Sequence, residues 1–398
     1  MITRRRLAAI LGAGTLNAAP SMSKLDLFES GRDGYELYRI PGMAVTGKGT
    51  VLAYCEARKT ARGDWGAIDI HLRRSEDDGR SWGPPRKISQ VPGPHRKNPM
   101  AMAQNLGREG EVTYNNPVAI ADEKTGAVHF VFCYEYMRAF YIRSDDDGRT
   151  FSEPVEITQT FDEFRRDYPL KVLATGPGHG IQLRNGRLVI PVWISTATGG
   201  HAHRPSVTSV IYSDDHGKTW KRGDIAIADT PEFIIPNETC AVELADGGVL
   251  LNARSESKAH RRILVTSRDG ATGWSKPRFH PELLEPICMG SMVRLSGKRL
   301  LFANPDNLDV SRGKPVEGRN RDRRNVTVKL SNDDSLTWPV KRTIEAGWSG
   351  YSDLAVARDG MILCLYERGG LGDDHFRTAA LTLARFNVEW LSEGKDRL

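Results

Sequence analysis

Three charged residues recur at one position of a repeat. Glu56, Arg254 and Glu367 each stand seven residues after a turn glycine (Gly49, Gly247 and Gly360). They close apolar runs such as "VLLNAR" and "MILCLYE". The same count in three further copies reaches Cys133, Trp193 and Asn304. A charge at the end of an apolar strand persists only when it is paired or used. A further arginine, Arg39, lies in "YRIPGM", between Tyr38 and Ile40, in a stretch that reads as a buried strand. A core strand holds an arginine only against a partner or a ligand. With Arg58 and Arg323, these residues give four guanidiniums near several carboxylates. Arginine forks bind a carboxylate through two parallel hydrogen bonds, and flanking glutamates hold the forks in place. The expected chemistry is capture of a carboxylate-bearing ligand.

The elements that position this column are repeats. A turn glycine followed by an apolar strand appears six times, at Gly49, Gly126, Gly186, Gly247, Gly297 and Gly360. A second unit follows most of them: "SEDDGRSW" (75–82), "SDDDGRTF" (144–151), "SDDHGKTW" (213–220), "SRDGATGW" (267–274) and "SNDDSLTW" (331–338). Long helical periodicity is almost absent. Six strand-rich units about 60 residues apart predict an all-β, six-bladed β-propeller. The aspartate-rich unit invites a calcium reading, but it recurs in blade after blade, and an active site is needed once. It reads as a structural turn: Ser and Asp bond the turn backbone, and Gly takes the positive-φ position. Ser335, where the fifth copy lacks the glycine, is expected to mark a turn with a relaxed conformational demand.

Composition sets the outer bounds. The chain has 398 residues, 39% hydrophobic and 27% charged, with net charge +6. No run of basic residues interleaved with aromatics suggests a nucleic-acid face. Five widely spaced cysteines without a CxxC pair argue against a disulfide framework or a zinc site. Neither a metal nor a cofactor is expected. The start, "MITRRRLAAILGAGTLNAAP", reads as an export signal of twin-arginine type over residues 1–22, so the protein is expected to be periplasmic or secreted. No other segment is long and apolar enough to span a membrane. Residues 23–398 are expected to form one propeller domain, as a monomer.

The ordered motifs resemble those of the exo-α-sialidase (neuraminidase) family, bacterial and animal type. They are "YRIP" (38–41), "CEAR…GDW" (55–65), the Asp-boxes, "GPGHGIQL" (176–183), "NETCAVE…LLNARS" (237–255), "RRNVTVKLS" (323–331), "GYSDLAV" (350–356) and "LYERG" (365–369). The resemblance implies roles at matching positions. Arg39, Arg254 and Arg323 resemble a triad that clamps the sialate carboxylate, with Arg324 open as an alternative to Arg323. Glu367 resembles the acid that orients the first arginine, and Arg58 an additional pocket arginine. Asp64 matches the acid/base, Tyr351 the nucleophile, and Glu238 the carboxylate that takes its proton. The implied substrates are sialylated glycans, cleaved with retention. The alternatives are a hydrolase for another 2-keto acid sugar (Kdn or Kdo) on the same scaffold, and a non-catalytic carbohydrate-binding propeller. His179, Asp69 and Asp353 are left in structural roles. Segments 92–111 and 199–209 are candidate rim loops for linkage preference.

Overall fold

The computed structural model describes residues 18–309, 322–372, 374 and 376–394. Among these residues the strands form six blades around an axis. Blade 1 consists of Leu37–Val45, Val51–Arg58, Ile68–Ser75 and Arg86–Lys87. Blade 2 runs from Tyr114–Ala121 through Val128–Tyr134 and Arg138–Ser144 to Val155–Glu156. Blade 3 contains Val172–Thr175, Leu188–Ser195, Ser206–Ser213 and Lys221–Arg222. Blade 4 contains Thr239–Glu243, Val249–Ala253, Arg261–Ser267 and Arg278–Leu284. Blades 5 and 6 share the strand Val340–Val356. Its first half pairs with Arg324–Ser331 as the outer edge of blade 5, and its second half pairs with Ile362–Arg368 as the inner strand of blade 6. The ring closes when Met22–Glu29 pairs antiparallel with Ala380–Phe386, so the N-terminal strand completes the last blade. Closure leaves only short edges exposed.

The expected leader falls mostly on residues 1–17, outside the described residues. The sheet takes up the chain at Met22, and Asn387 accepts from the Ser21 amide at 2.9 Å and donates to the Ala19 carbonyl at 2.8 Å. No helix among the described residues is long and apolar enough to cross a membrane.

The core is divided among the blade interfaces, which explains why whole strands are apolar on both faces. In blade 1, Val51, Ala53 and Cys55 pack toward blade 6, and Leu52 and Tyr54 toward blade 2. Successive side chains point to opposite faces, so each strand feeds two interfaces. The same alternation fixes the charged column. Glu56 follows Leu52 and Tyr54 toward blade 2, and Glu367 follows Leu363 and Leu365 toward blade 1. Asn304 does not follow the column. In blade 5, Leu300 and Phe302 face the preceding blade and Leu301 and Ala303 the next, one residue out of phase with blade 1. A one-residue slip sends every side chain to the other face. Asn304 accordingly donates to the Leu284 carbonyl of blade 4 at 2.7 Å.

All five cysteines are free and buried, where a thiol packs as a small core hydrophobe. The Asp-boxes are turns stitched by their own side chains. In the first, Ser75 Oγ accepts from the Gly79 amide at 2.9 Å, and Asp77 accepts from the Ser81 amide at 2.8 Å and the Ser81 hydroxyl at 2.6 Å. The pattern returns at Ser144/Asp146/Thr150, Ser213/Asp215/Thr219 and Ser331/Asp333/Thr337. The expectation for Ser335 is corrected. Its φ is 72°, beside 83°, 75° and 81° at Gly79, Gly148 and Gly217, so the demand is unrelaxed and the serine bears it.

Candidate active site

Two bulges shape the site. In blade 1, Arg39 pairs with Glu56 and Gly42 with Tyr54, so Ile40 and Pro41 oppose Cys55 alone. In blade 6, Ser349 pairs with Arg368 and Ser352 with Tyr366, so Gly350 and Tyr351 oppose Glu367 alone. A bulge bends its strand and re-aims the side chains beside it. Glu367 ties the two together. It accepts from Arg39 Nε at 2.9 Å and Nη2 at 3.2 Å, from the Ile40 amide at 3.2 Å and from the Tyr351 amide at 3.2 Å. Ile40 needs this hold, because its φ of 59° is costly for a β-branched residue. Gly350 is required for a different reason: a Cβ there would lie 2.5 Å from Glu367 Oε2. Burial alone would raise the Glu367 carboxyl, but Arg39 beside it holds it below the usual range.

Glu56 performs the parallel task one blade on. It accepts from the amide of Asn116, itself a positive-φ bulge residue (φ 51°), at 2.9 Å, and from Arg58 Nη2 at 2.6 Å. Arg58 then reaches Asp64 at 2.9 Å, so its ion pair with Glu56 is one half of a bridge to the cavity. The Asp64 side chain is 40% exposed at the mouth. Burial pushes its carboxyl up, but the Arg58 guanidinium outweighs this and holds it well below the usual range.

Tyr351 stands at the centre. Its hydroxyl donates to Glu238 Oε1 at 2.6 Å and accepts from Arg254 Nη1 at 2.7 Å. Arg254 also pairs with Glu238. The Tyr351 ring lies 4.9 Å from the Arg323 guanidinium and 5.3 Å from that of Arg39. Burial raises the phenol well above its ordinary value, Glu238 adds to this, and the arginines oppose it. The resting tyrosine is therefore neutral, with its proton directed at a carboxylate. Arg323 donates Nη2 to the Ile287 carbonyl at 3.0 Å, and its Nε and Nη1 are buried without a partner among the described residues. A buried guanidinium with open donors favours an anion. Arg324 turns away and stacks on Trp348 at 3.9 Å, so Arg323 is the arginine that faces the cavity.

All eight residues expected from the sequence meet here. Seven of them, Arg39, Arg58, Asp64, Glu238, Arg254, Arg323 and Tyr351, line a cavity of about 280 Å3, and Glu367 supports it from behind. Other lining residues were not singled out as site residues: Tyr136, Trp193, His201, His203, Arg204 and Glu256. Trp193 carried a signal, as a member of the seven-residue column. His201, His203 and Arg204 belong to the loop 199–209 expected at the rim. Tyr136 carried none, because it reaches the site through a turn in which it and Glu135 both take positive φ (47° and 54°). Burial lowers the His203 imidazole to about 3, so it stands neutral near Asp64. His179 bonds Asp353 at 2.8 Å and is absent from the cavity lining, in keeping with a structural role. No group of three or more metal-ligating side chains occurs among the described residues.

Residues 103–364 match the BNR repeat-like domain family. The Micromonospora viridifaciens sialidase is 29% identical over 94% of this chain, and mouse Sialidase-3 is 27% identical over 86% of this chain and 90% of its own length. This chain spans 55% of the Micromonospora protein and 65% of the Bacteroides fragilis sialidase. Among solved structures, a Hadza microbial sialidase superposes with a TM-score of 0.74 at 28% identity, covering 92% of this chain and 69% of that one. Repeat family, relatives and fold agree: the chain belongs to the BNR repeat-like domain family, and the relatives and solved structures that it resembles are sialidases.

Proposed function

We propose that the protein is a retaining exo-α-sialidase that releases terminal sialic acid from glycoconjugates. The observation that carries this reading is the Tyr351 hydroxyl, held 2.6 Å from Glu238 beneath the guanidiniums of Arg39, Arg254 and Arg323. Sialic acid bears a carboxylate on the carbon that is attacked. An anionic nucleophile would meet that charge at close range, whereas a neutral tyrosine avoids it until electron density is needed. In the first step the Tyr351 oxygen bonds to the anomeric carbon while its proton passes to Glu238. The aglycone oxygen leaves with a proton from Asp64. In the second step Asp64 takes a proton from water, which attacks the anomeric carbon and displaces the tyrosine; the tyrosine oxygen recovers its proton from Glu238, and the starting configuration is restored. Because Arg58 holds Asp64 ionised, the acid form is scarce at neutral pH, and turnover is expected to rise toward acidic pH. A tyrosine nucleophile is a known departure from the carboxylate pair of most glycosidases.

The test is release of sialic acid from a p-nitrophenyl sialoside. The wild type is expected to turn over, and Tyr351→Phe to lose on the order of 1,000-fold or more in kcat. Undiminished turnover by Tyr351→Phe would sink the assignment. Parallel aryl glycosides of Kdn and Kdo separate the substrate alternatives, since the arginine clamp reads only the shared carboxylate.

A further inference from the structure

The loop that carries Asp64 is anchored from a neighbouring segment by a buried lysine. Lys97 lies in the segment 92–111 and its side chain is 4% exposed. Its ammonium donates to the Trp65 carbonyl at 3.2 Å, to Thr113 Oγ1 at 3.2 Å and to Glu135 Oε1 at 2.9 Å. Thr113 in turn donates its hydroxyl to the Gly66 carbonyl at 2.6 Å. Two successive carbonyls directly after Asp64 are thus held by one cluster. Glu135 is fully buried and also accepts from the Thr113 amide at 2.7 Å. It immediately precedes Tyr136, whose ring packs against Trp65 with centroids 4.5 Å apart. A second observation points the same way. Asn98, next to Lys97, donates to the Glu135 carbonyl at 3.2 Å, which fixes the segment to the turn that presents Tyr136.

We propose that Lys97 is a positioning residue for Asp64: through the Trp65 carbonyl and Glu135 it sets where the acid/base carboxylate sits over the cavity. Burying an ammonium is costly, and a surface loop does not need one to stay folded. Three oxygen partners on three different segments make it a rigid junction, and catalytic groups require placement within about half an ångström. Displacing such a group by about 1 Å costs on the order of 100-fold. The Arg58 bridge fixes the Asp64 carboxylate from one side, and the Lys97 junction fixes its backbone from the other.

The inference rests on the reading of Asp64 as the acid, and leaving-group dependence separates the two. A p-nitrophenol leaving group departs with little protonation, whereas the alcohol of a sialyl-lactose needs the acid. Measured as kcat/KM, which reports only the steps up to aglycone departure and not the shared second step, Asp64→Asn should lose far more on sialyl-lactose than on the p-nitrophenyl sialoside, and an equal loss on both would overturn the acid assignment itself. Lys97→Met should repeat the asymmetry, losing on the order of 100-fold on sialyl-lactose and less than about threefold on the aryl substrate. If Asp64→Asn is asymmetric and Lys97→Met is not, the positioning role fails and the acid stands. Lys97→Met leaves Glu135 buried without its cation, so Lys97→Met/Glu135→Gln is the companion variant, with the same expected asymmetry. If neither variant folds, the cluster is a determinant of the fold and the proposal is overturned.

Discussion

The Asp-box turns at the blade edges and the strand ends at the cavity come from the same repeating unit, and they have diverged by different amounts. In four of the five turns the Ser and Asp bond the same backbone positions of their own turn, and in the fourth, where the glycine and threonine come earlier, Ser267 and Asp269 bond Gly270 and Thr272 of theirs. At the strand ends, the seventh position after the glycine is Glu56, Arg254 or Glu367 in three of the blades, and each of these bonds something different. The turn side chains answer a demand that every blade makes of itself. The strand-end side chains converge on one space, so symmetry there would be useless: six identical charges around an axis repel. Repetition therefore marks what holds the fold, and broken repetition marks what meets the ligand.

The comparison predicts that strand-end substitutions act on turnover and turn substitutions on stability. The largest effect after loss of Tyr351 is expected at Arg323, whose Nε and Nη1 are buried and open. Arg323→Ala should weaken kcat/KM by about 100-fold or more, the cost of removing one member of a buried charge-assisted pair. Its Tm should stay close to wild type, because among the described residues the hydrogen bond to Ile287 and the ring contacts it gives up are offset by removing a buried cation with two open donors. Steady-state kinetics beside thermal unfolding checks both halves. A large fall in Tm with unchanged kcat/KM would break the distinction.

An intermediate effect is expected in the first Asp-box. Hydrogen bonds from the Ser81 hydroxyl and amide hold the Asp77 carboxyl down at about 2. The folded value lies below the unfolded one of about 3.9, so the stability it contributes is present above pH 4 and lost as pH falls toward 2. Asp77→Ala should cost about 1 kcal/mol at neutral pH, as removal of a comparable side-chain acceptor at a helix start does. The gap from wild type should close between pH 4 and pH 2, with kcat/KM unaltered. Tm measured across that range reads it, and a gap independent of pH would mean that the carboxylate charge is irrelevant to the turn.

How far the sequence revealed this depended on how local each cause is. The blades were legible because turn glycines and alternating apolar residues repeat. The pairing of Arg39 with Glu367 was legible because their places in the repeat bring the first and last blades together. The choice of Arg323 over Arg324 was not, since it depends on a register shift between Arg324 and Val326 that turns one guanidinium onto Trp348. Asn304 misled the count because the blade 5 hairpin is out of phase. Lys97 and Tyr136 were invisible, because their contacts cross between segments that no periodicity relates. What failed to show was set by turns of positive φ and by contacts between blades, both of which leave little trace in residue type.

The smallest effect is the sharpest probe of the turns. Ser335 holds a φ of 72° where the other boxes place glycine, and its buried hydroxyl has no partner among the described residues. A left-handed conformation costs an L-residue about 1–2 kcal/mol, and glycine's greater freedom in the unfolded chain returns about 0.5–1 kcal/mol of that. Ser335→Gly should therefore raise stability by about 0.5 kcal/mol, leaving turnover unchanged. The reverse change, Gly148→Ser, should destabilise, because a Cβ there would meet Leu52 Cδ2 at 2.9 Å. Paired denaturant titrations of both variants measure the two signs. A loss of stability in Ser335→Gly would show that the fifth box has come to depend on its serine, and that repetition at the edge of the blades is less complete than its hydrogen bonds suggest.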